Sequence, residues 1–140
     1  MMKKGWGIDN PRPYQVEAIF RLAFCRMNVH LIRKCGEGKS AVLYGMASLL
    51  RGITVCMVPL IGLGSDQVSK SKRPDINQES YHVDEFRGKD FDKLAKRVKS
   101  SKPGGNDRII LFISPQELKE GTKWYSLLVT LANAGLISAF

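Results

Sequence analysis

The segment Arg33-Lys34-Cys35-Gly36-Glu37-Gly38-Lys39-Ser40 constrains this chain more than any other. An apolar run, Val29 to Ile32, leads into it, and a helix-forming run, Ala41 to Leu50, leads out. Closely spaced glycines let a backbone approach a ligand without a Cβ clash. Successive N–H groups and a helix N-terminus then face an anion. In such a loop Lys39 reaches the β/γ-phosphates of a nucleoside triphosphate, and the Ser40 hydroxyl ligates Mg²⁺. The full spacing G-x-x-x-x-G-K-[ST] would put glycine at position 33; this chain has Arg33 there and keeps G-x-G-K-S. An ordinary turn with a helix N-cap is the alternative this segment alone leaves open.

The chain has 140 residues, one domain's worth, and 44% of them are hydrophobic, enough for a real core. A net charge of +9 points to an anionic partner such as nucleic acid, or else to a merely solvated basic surface. Cys25, Cys35 and Cys56 show no C-x-x-C spacing and no clustered histidines accompany them, so neither structural zinc nor a disulfide framework is expected. No stretch is long and apolar enough to span a membrane. The start, Met1 to Trp6, is not followed by an apolar h-region, so no signal peptide is expected and an intracellular location is.

Helical and apolar segments alternate. Pro13 to Met27 carries Val16, Ile19, Phe20, Ala23 and Phe24 at helical spacing, with Pro13 suited to a first turn. Val29 to Ile32 reads as a short buried strand, Ser40 to Leu50 as a helix ended by Gly52, and Ile53 to Val58 as a central parallel strand. A helix over Leu60 to Lys70, a loop over Ser69 to Asn77 and a weakly signalled strand over Gln78 to Val83 follow. Phe91 to Val98 has helical spacing. Arg108 to Ser114 is a fully buried strand, Pro115 to Leu118 a helical turn, Trp124 to Ala134 a helix, and Leu136 to Phe140 a last strand. This alternation gives an α/β class with a parallel sheet flanked by helices, and places the loop at the carboxyl edge of the first strand. The basic residues Lys70, Lys72, Arg73, Lys93, Lys96, Arg97 and Lys99 read as a solvated face.

Four segments resemble the RecQ-like branch of superfamily-2 helicases. Trp6, Gly7, Arg12 and Gln15 match an adenine-recognition motif, with Pro11 where an aromatic is usual. A Gln amide suits a bidentate pair with adenine, and an Arg guanidinium can stack on the base; a solvated Gln15 at a helix start is the plainer reading. Gly36, Gly38, Lys39 and Ser40 match the family's phosphate loop, with Arg33 and Cys35 as departures. Pro59, Leu60, Leu63, Asp66, Gln67 and Val68 are similar to the segment S-P-L-x-x-L-x-x-D-Q-V, which lies along the nucleic-acid path; its apolar positions also suit a core. Phe112 to Leu118 looks like [IVL]-[SAT]-P-E-x-[LF], with Gln116 in place of Glu and Ser114 able to bond phosphate or simply to cap a helix.

The resemblance implies a RecA-like P-loop NTPase three-layer sandwich, residues 1–140 being part of the first motor domain. It implies ATP and Mg²⁺ as cofactors, held by Arg12, Gln15, Gly36, Glu37, Gly38, Lys39, Ser40 and Ala41, with Ser40 on the metal. It implies nucleic acid, DNA by resemblance, as partner through Pro59, Ser65, Gln67 and Ser114, and a nuclear or nucleoid-associated location. The carboxylate pair D-E-x-[HD] that cleaves ATP does not occur; Asp84-Glu85, the chain's one Asp-Glu pair, is followed by Phe86 and Arg87. A first motor domain truncated before that motif, lacking the second domain and unable to hydrolyse ATP by itself, is the expectation. A P-loop ATPase or kinase unrelated to nucleic acid, and a non-enzymatic nucleic-acid-binding module with a degenerate nucleotide site, are the alternatives.

Overall fold

A computed structural model describes residues 10–59, 61–72 and 74–140. Trp6, Gly7, Leu60 and Arg73 lie outside the described residues, as do the side chains of residues 61–63. The chain divides into two compact units, Met1–Leu50 and Arg51–Phe140.

The first unit pairs two helices. Helix α1 spans Pro13–Ala23 and α2 spans Ser40–Leu49. Pro13 opens α1 because its fixed φ suits a first turn and its missing N–H would go unpaired there anyway. Arg12 is the extended N-cap, and its N–H donates to Gln15 Oε1 (2.9 Å). The helix ends sooner than its apolar spacing suggests, and Arg26 turns the chain at φ 54°. Its buried stripe is Gln15, Ala18 and Ile19, whereas Val16, Phe20 and Phe24 are more than half exposed. The helical period was therefore readable, but the buried face is offset by one residue. Small Ala18 permits close approach, and Ile19 reaches where a Cβ on Gly45 of α2 would stand (2.5 Å).

The strand expected over Val29–Ile32 does not form. Val29 and Leu31 pack against the cluster of Ala18, Ile19, Ala41 and Val42, while His30 is exposed and Ile32 is 92% exposed. Side chains alternate as in a strand, but only one side is covered, and no ladder partner is recorded for these backbone groups. The loop is thus not preceded by a strand of the sheet.

The second unit carries β1 (Gly52–Met57), α3 (Ile61–Ser71), β2 (Gln78–His82), α4 (Lys89–Lys99), β3 (Arg108–Ile113), α5 (Lys123–Asn133) and β4 (Ile137–Ala139). Among the described residues these strands form one sheet, ordered β2-β3-β1-β4 and parallel throughout. Gly52 does not end α2; it opens β1 at φ 107°, where a Cβ would stand 2.4 Å from Ser138 Oγ and 2.9 Å from Leu136 O.

Strand β3 is buried on both faces. Ile109, Leu111 and Ile113 face Leu94 and Val98 of α4 and Trp124 and Leu127 of α5. Ile110 and Phe112, also fully buried, point the other way. On that second face α3 lies over β2: Ser71 Oγ donates to Ser80 Oγ at 2.7 Å. Each fully buried Ile, Leu or Phe contributes about 1.5–3 kcal/mol, which is why the apolar run at 108–113 takes the middle of the sheet. An α/β fold with a parallel sheet flanked by helices is the observed architecture. Arg97 leaves the solvated face assigned to it: its guanidinium is half-buried between Glu79 (Nη2–Oε1 2.5 Å) and Asp107 (3.0 Å), while Lys70, Lys72, Lys93, Lys96 and Lys99 are exposed.

Candidate functional site

The loop from Arg33 to Ser40 is bonded to itself and to α1. Gly36 and Gly38 have φ of 78° and 82°, a conformation glycine adopts without strain. Gln15 is not solvated. It is 3% exposed, and its Nε2 donates to Gly38 O at 3.0 Å while its Oε1 accepts from Arg12 N–H. A Cβ on Gly38 would stand 2.7 Å from that same Nε2, so close contact with Gln15 requires glycine there. The Tyr14 hydroxyl donates to Glu37 O, and the Arg33 guanidinium lies 4.6 Å from the centre of the Tyr14 ring.

The charged groups of the loop are engaged as well. Lys39 Nζ donates to the carbonyls of Arg33 (2.9 Å) and Lys34 (2.7 Å). The Glu37 carboxylate accepts from Lys34 N–H (3.1 Å) and lies 3.9 Å from Arg12 Nη1. Ser40 is exposed at the first turn of α2; Ala41 is buried, its N–H donating to Gly38 O at 3.1 Å. These residues fit a polyphosphate. A Cβ on Gly36 would meet nothing within 4 Å, so the backbone is open there, and a cation and a helix N-terminus adjoin it. For Mg²⁺ the loop offers the Ser40 hydroxyl; among the described residues no group of three His, Cys, Asp or Glu is placed to hold a metal.

The residues expected along nucleic acid lie in the second unit. Pro59 is exposed beyond β1, and Gln67 is half-buried on α3. Ser65 and Ser114 converge on one polar network at the carboxyl ends of β2 and β3. Ser114 is 2% exposed and donates to Asp84 Oδ1 at 2.9 Å. Ser65 is exposed and donates to Glu85 Oε1 at 2.5 Å. His82, the last residue of β2, joins the two acids: Nε2 is 3.0 Å from Asp84 Oδ2, and Nδ1 is 3.3 Å from Glu85 Oε1. Ionised carboxylates only accept, so whichever ring nitrogen carries a proton donates it to the acid it faces. Ser65 first, and His82 second, hold the Glu85 carboxyl below its ordinary range, against slight desolvation. Gly64 gives the imidazole its room, since a Cβ there would stand 2.4 Å from the ring.

Sequence reading missed Tyr14, Arg33, His82, Asp84 and Glu85 as parts of these sites. A tyrosine next to Gln15 was the signal for the first. The spacing H-x-D-E at the end of a strand is the signal for the last three; Asp84-Glu85 alone was weighed, against D-E-x-[HD], which Phe86 and Arg87 do not complete.

No family model matches the chain. It is similar to ATP-dependent DNA helicase Q-like 2 of Arabidopsis thaliana, with 31% identity over 134 residues. That match supports a relationship to the RecQ-like helicases. The aligned stretch is 95% of this chain but 18% of that protein, so the chain spans less than a fifth of the curated relative it matches. No helix among the described residues is long and apolar enough to cross a membrane.

Proposed function

We propose that this chain is an ATP-binding and nucleic-acid-binding portion of a RecQ-like, ATP-dependent DNA helicase, folded as part of a RecA-like P-loop domain and acting where nucleic acid is kept, in the nucleus or nucleoid. The observation that carries the reading is the bond from Gln15 Nε2 to Gly38 O. It joins the residue expected to read adenine to the loop expected to hold phosphate, although they are far apart in sequence. The match to a helicase over nearly all of this chain supports the same reading.

In this reading Lys39 exchanges its bonds to the Arg33 and Lys34 carbonyls for the β/γ-phosphates, and the loop N–H groups that are not bonded within the loop face the anion. Ser40 supplies its hydroxyl to Mg²⁺, which when bound neutralises developing charge on the phosphates. Arg12 holds the base together with Gln15, whose amide exchanges its bonds to Gly38 O and Arg12 N–H for it, and Glu37 gives up Lys34 N–H as the loop opens. Pro59, Ser65, Gln67 and Ser114 line the edge offered to nucleic acid, Ser114 acting through Asp84. The sequence has no D-E-x-[HD] motif to orient a water, and in this reading the chain binds without turnover by itself.

The test is equilibrium binding of a fluorescent ATP analogue, competed by ATP and by GTP. Saturable binding with ATP preferred is expected; Lys39→Ala should abolish it, and Gln15→Ala should erase the preference. Equal competition by GTP in the unaltered chain would sink the adenine reading. Robust nucleic-acid-stimulated ATPase from this chain alone would sink the claim that it lacks cleavage chemistry.

A further inference from the structure

We propose that His82 is a positioning residue of the nucleic-acid-facing edge, acting through Glu85 to keep the Ser65 hydroxyl turned away from phosphate. This rests on the reading that Ser65 faces nucleic acid. A serine hydroxyl has one proton, and Ser65 spends it on Glu85 Oε1. What it can show a phosphate is lone pairs, beside a carboxylate whose side chain is 55% exposed. Both repel an anion.

Glu85 is the exposed last residue of a short turn, Val83–Glu85, and left alone would sample several rotamers. His82 pins it. The ring is 1% exposed, seated against Gly64, and its other nitrogen is tied to Asp84, whose side chain is 5% exposed and holds Ser114. The chain of contacts Ser114–Asp84–His82–Glu85–Ser65 thus has a buried inner half and an exposed outer half. The outer half is the part that can open: release of Glu85 returns a hydroxyl donor to the edge, while Asp84 and Ser114 stay in place.

The experiment is anisotropy titration of a labelled oligothymidine single strand with the complete chain. Glu85→Ala removes the acceptor and should tighten binding by about 3- to 10-fold, the net worth of one recovered hydrogen bond at an exposed site. Glu85→Gln keeps an acceptor while removing the charge and should gain less. In a Ser65→Ala background, Glu85→Ala should gain no more than Glu85→Gln does, only the share due to lost charge repulsion. His82→Asn should give part of the same Ser65-dependent gain, where a merely structural role would weaken binding whatever stands at 65. Equal gains for Ala and Gln, a Glu85→Ala gain undiminished by Ser65→Ala, or no gain overturns the proposal and leaves the nucleic-acid reading standing. If neither the unaltered chain nor Glu85→Ala binds the strand, both fail. Should His82→Asn lose its fold by circular dichroism, the Glu85 and Ser65 variants decide alone.

Discussion

The loop of the first unit and the carboxyl edge of the second both hold anion-seeking groups in check, by opposite means. In the loop the acceptors are neutral main-chain carbonyls: Lys39 rests on Arg33 and Lys34, Gln15 on Gly38. At the edge the acceptors are carboxylates, themselves fixed by a buried imidazole. Bonds to exposed carbonyls are readily exchanged for water or ligand, whereas a charge buried with its partner resists separation. The loop is built to let go; at the edge the buried Asp84 half is built to hold, and the exposed Glu85 half is the part that opens.

The sharpest break of this contrast is Asp84→Ala. It strands His82 and Ser114 in the interior and should cost about 3–5 kcal/mol, read as a lower urea midpoint. Gly38→Ala is next. It forces a side chain into positive φ and against Gln15 Nε2, for about 1–3 kcal/mol, and should abolish binding of the ATP analogue. A loss as large as that of Asp84→Ala would mean the loop is no softer than the edge. Acid should act on the second unit: Glu85 and Glu79 both titrate below their ordinary value, so their stabilisation is present at neutral pH and lost as pH falls through and below about 4.5. For Glu79, burial alone would push the other way, and the hydrogen bonds from Arg97 and Tyr81 outweigh it. Arg97→Met should flatten part of that acid transition. Smallest of all, Lys39→Ala should move the thermal midpoint by less than its equivalent of about 0.5 kcal/mol while removing nucleotide binding; a large shift would make Lys39 a structural strut.

The sheet was legible because its signal is local. Ile53 to Val58 and Arg108 to Ser114 are unbroken apolar runs, and such runs fold as strands covered on both faces. Helix α4 was legible because Leu94, Ala95 and Val98 sit on one stripe. Val29 to Ile32 misled because four residues interrupted by His30 look the same whether or not a neighbour pairs with them. The face of α1 misled because a buried Gln15 carries no hydrophobic signal; its burial follows from a bond to a carbonyl far along the chain. The same holds for Arg97, half-buried by Glu79 and Asp107, partners that sequence spacing does not reveal.

The strand order has a consequence in time. Among the described strands β1 lies between β3 and β4, both of which follow it, so one flank of Gly52–Met57 waits for Arg108–Ile113 and the other for Ile137–Ala139. Contacts this distant along the chain close slowly. Meanwhile Ile53-Thr54-Val55-Cys56-Met57, rich in β-branched residues and free of charge, waits with both edges open. The feature that makes the finished sheet secure, a central strand paired on both sides by late arrivals, is also the one that makes its assembly the moment of greatest exposure to aggregation.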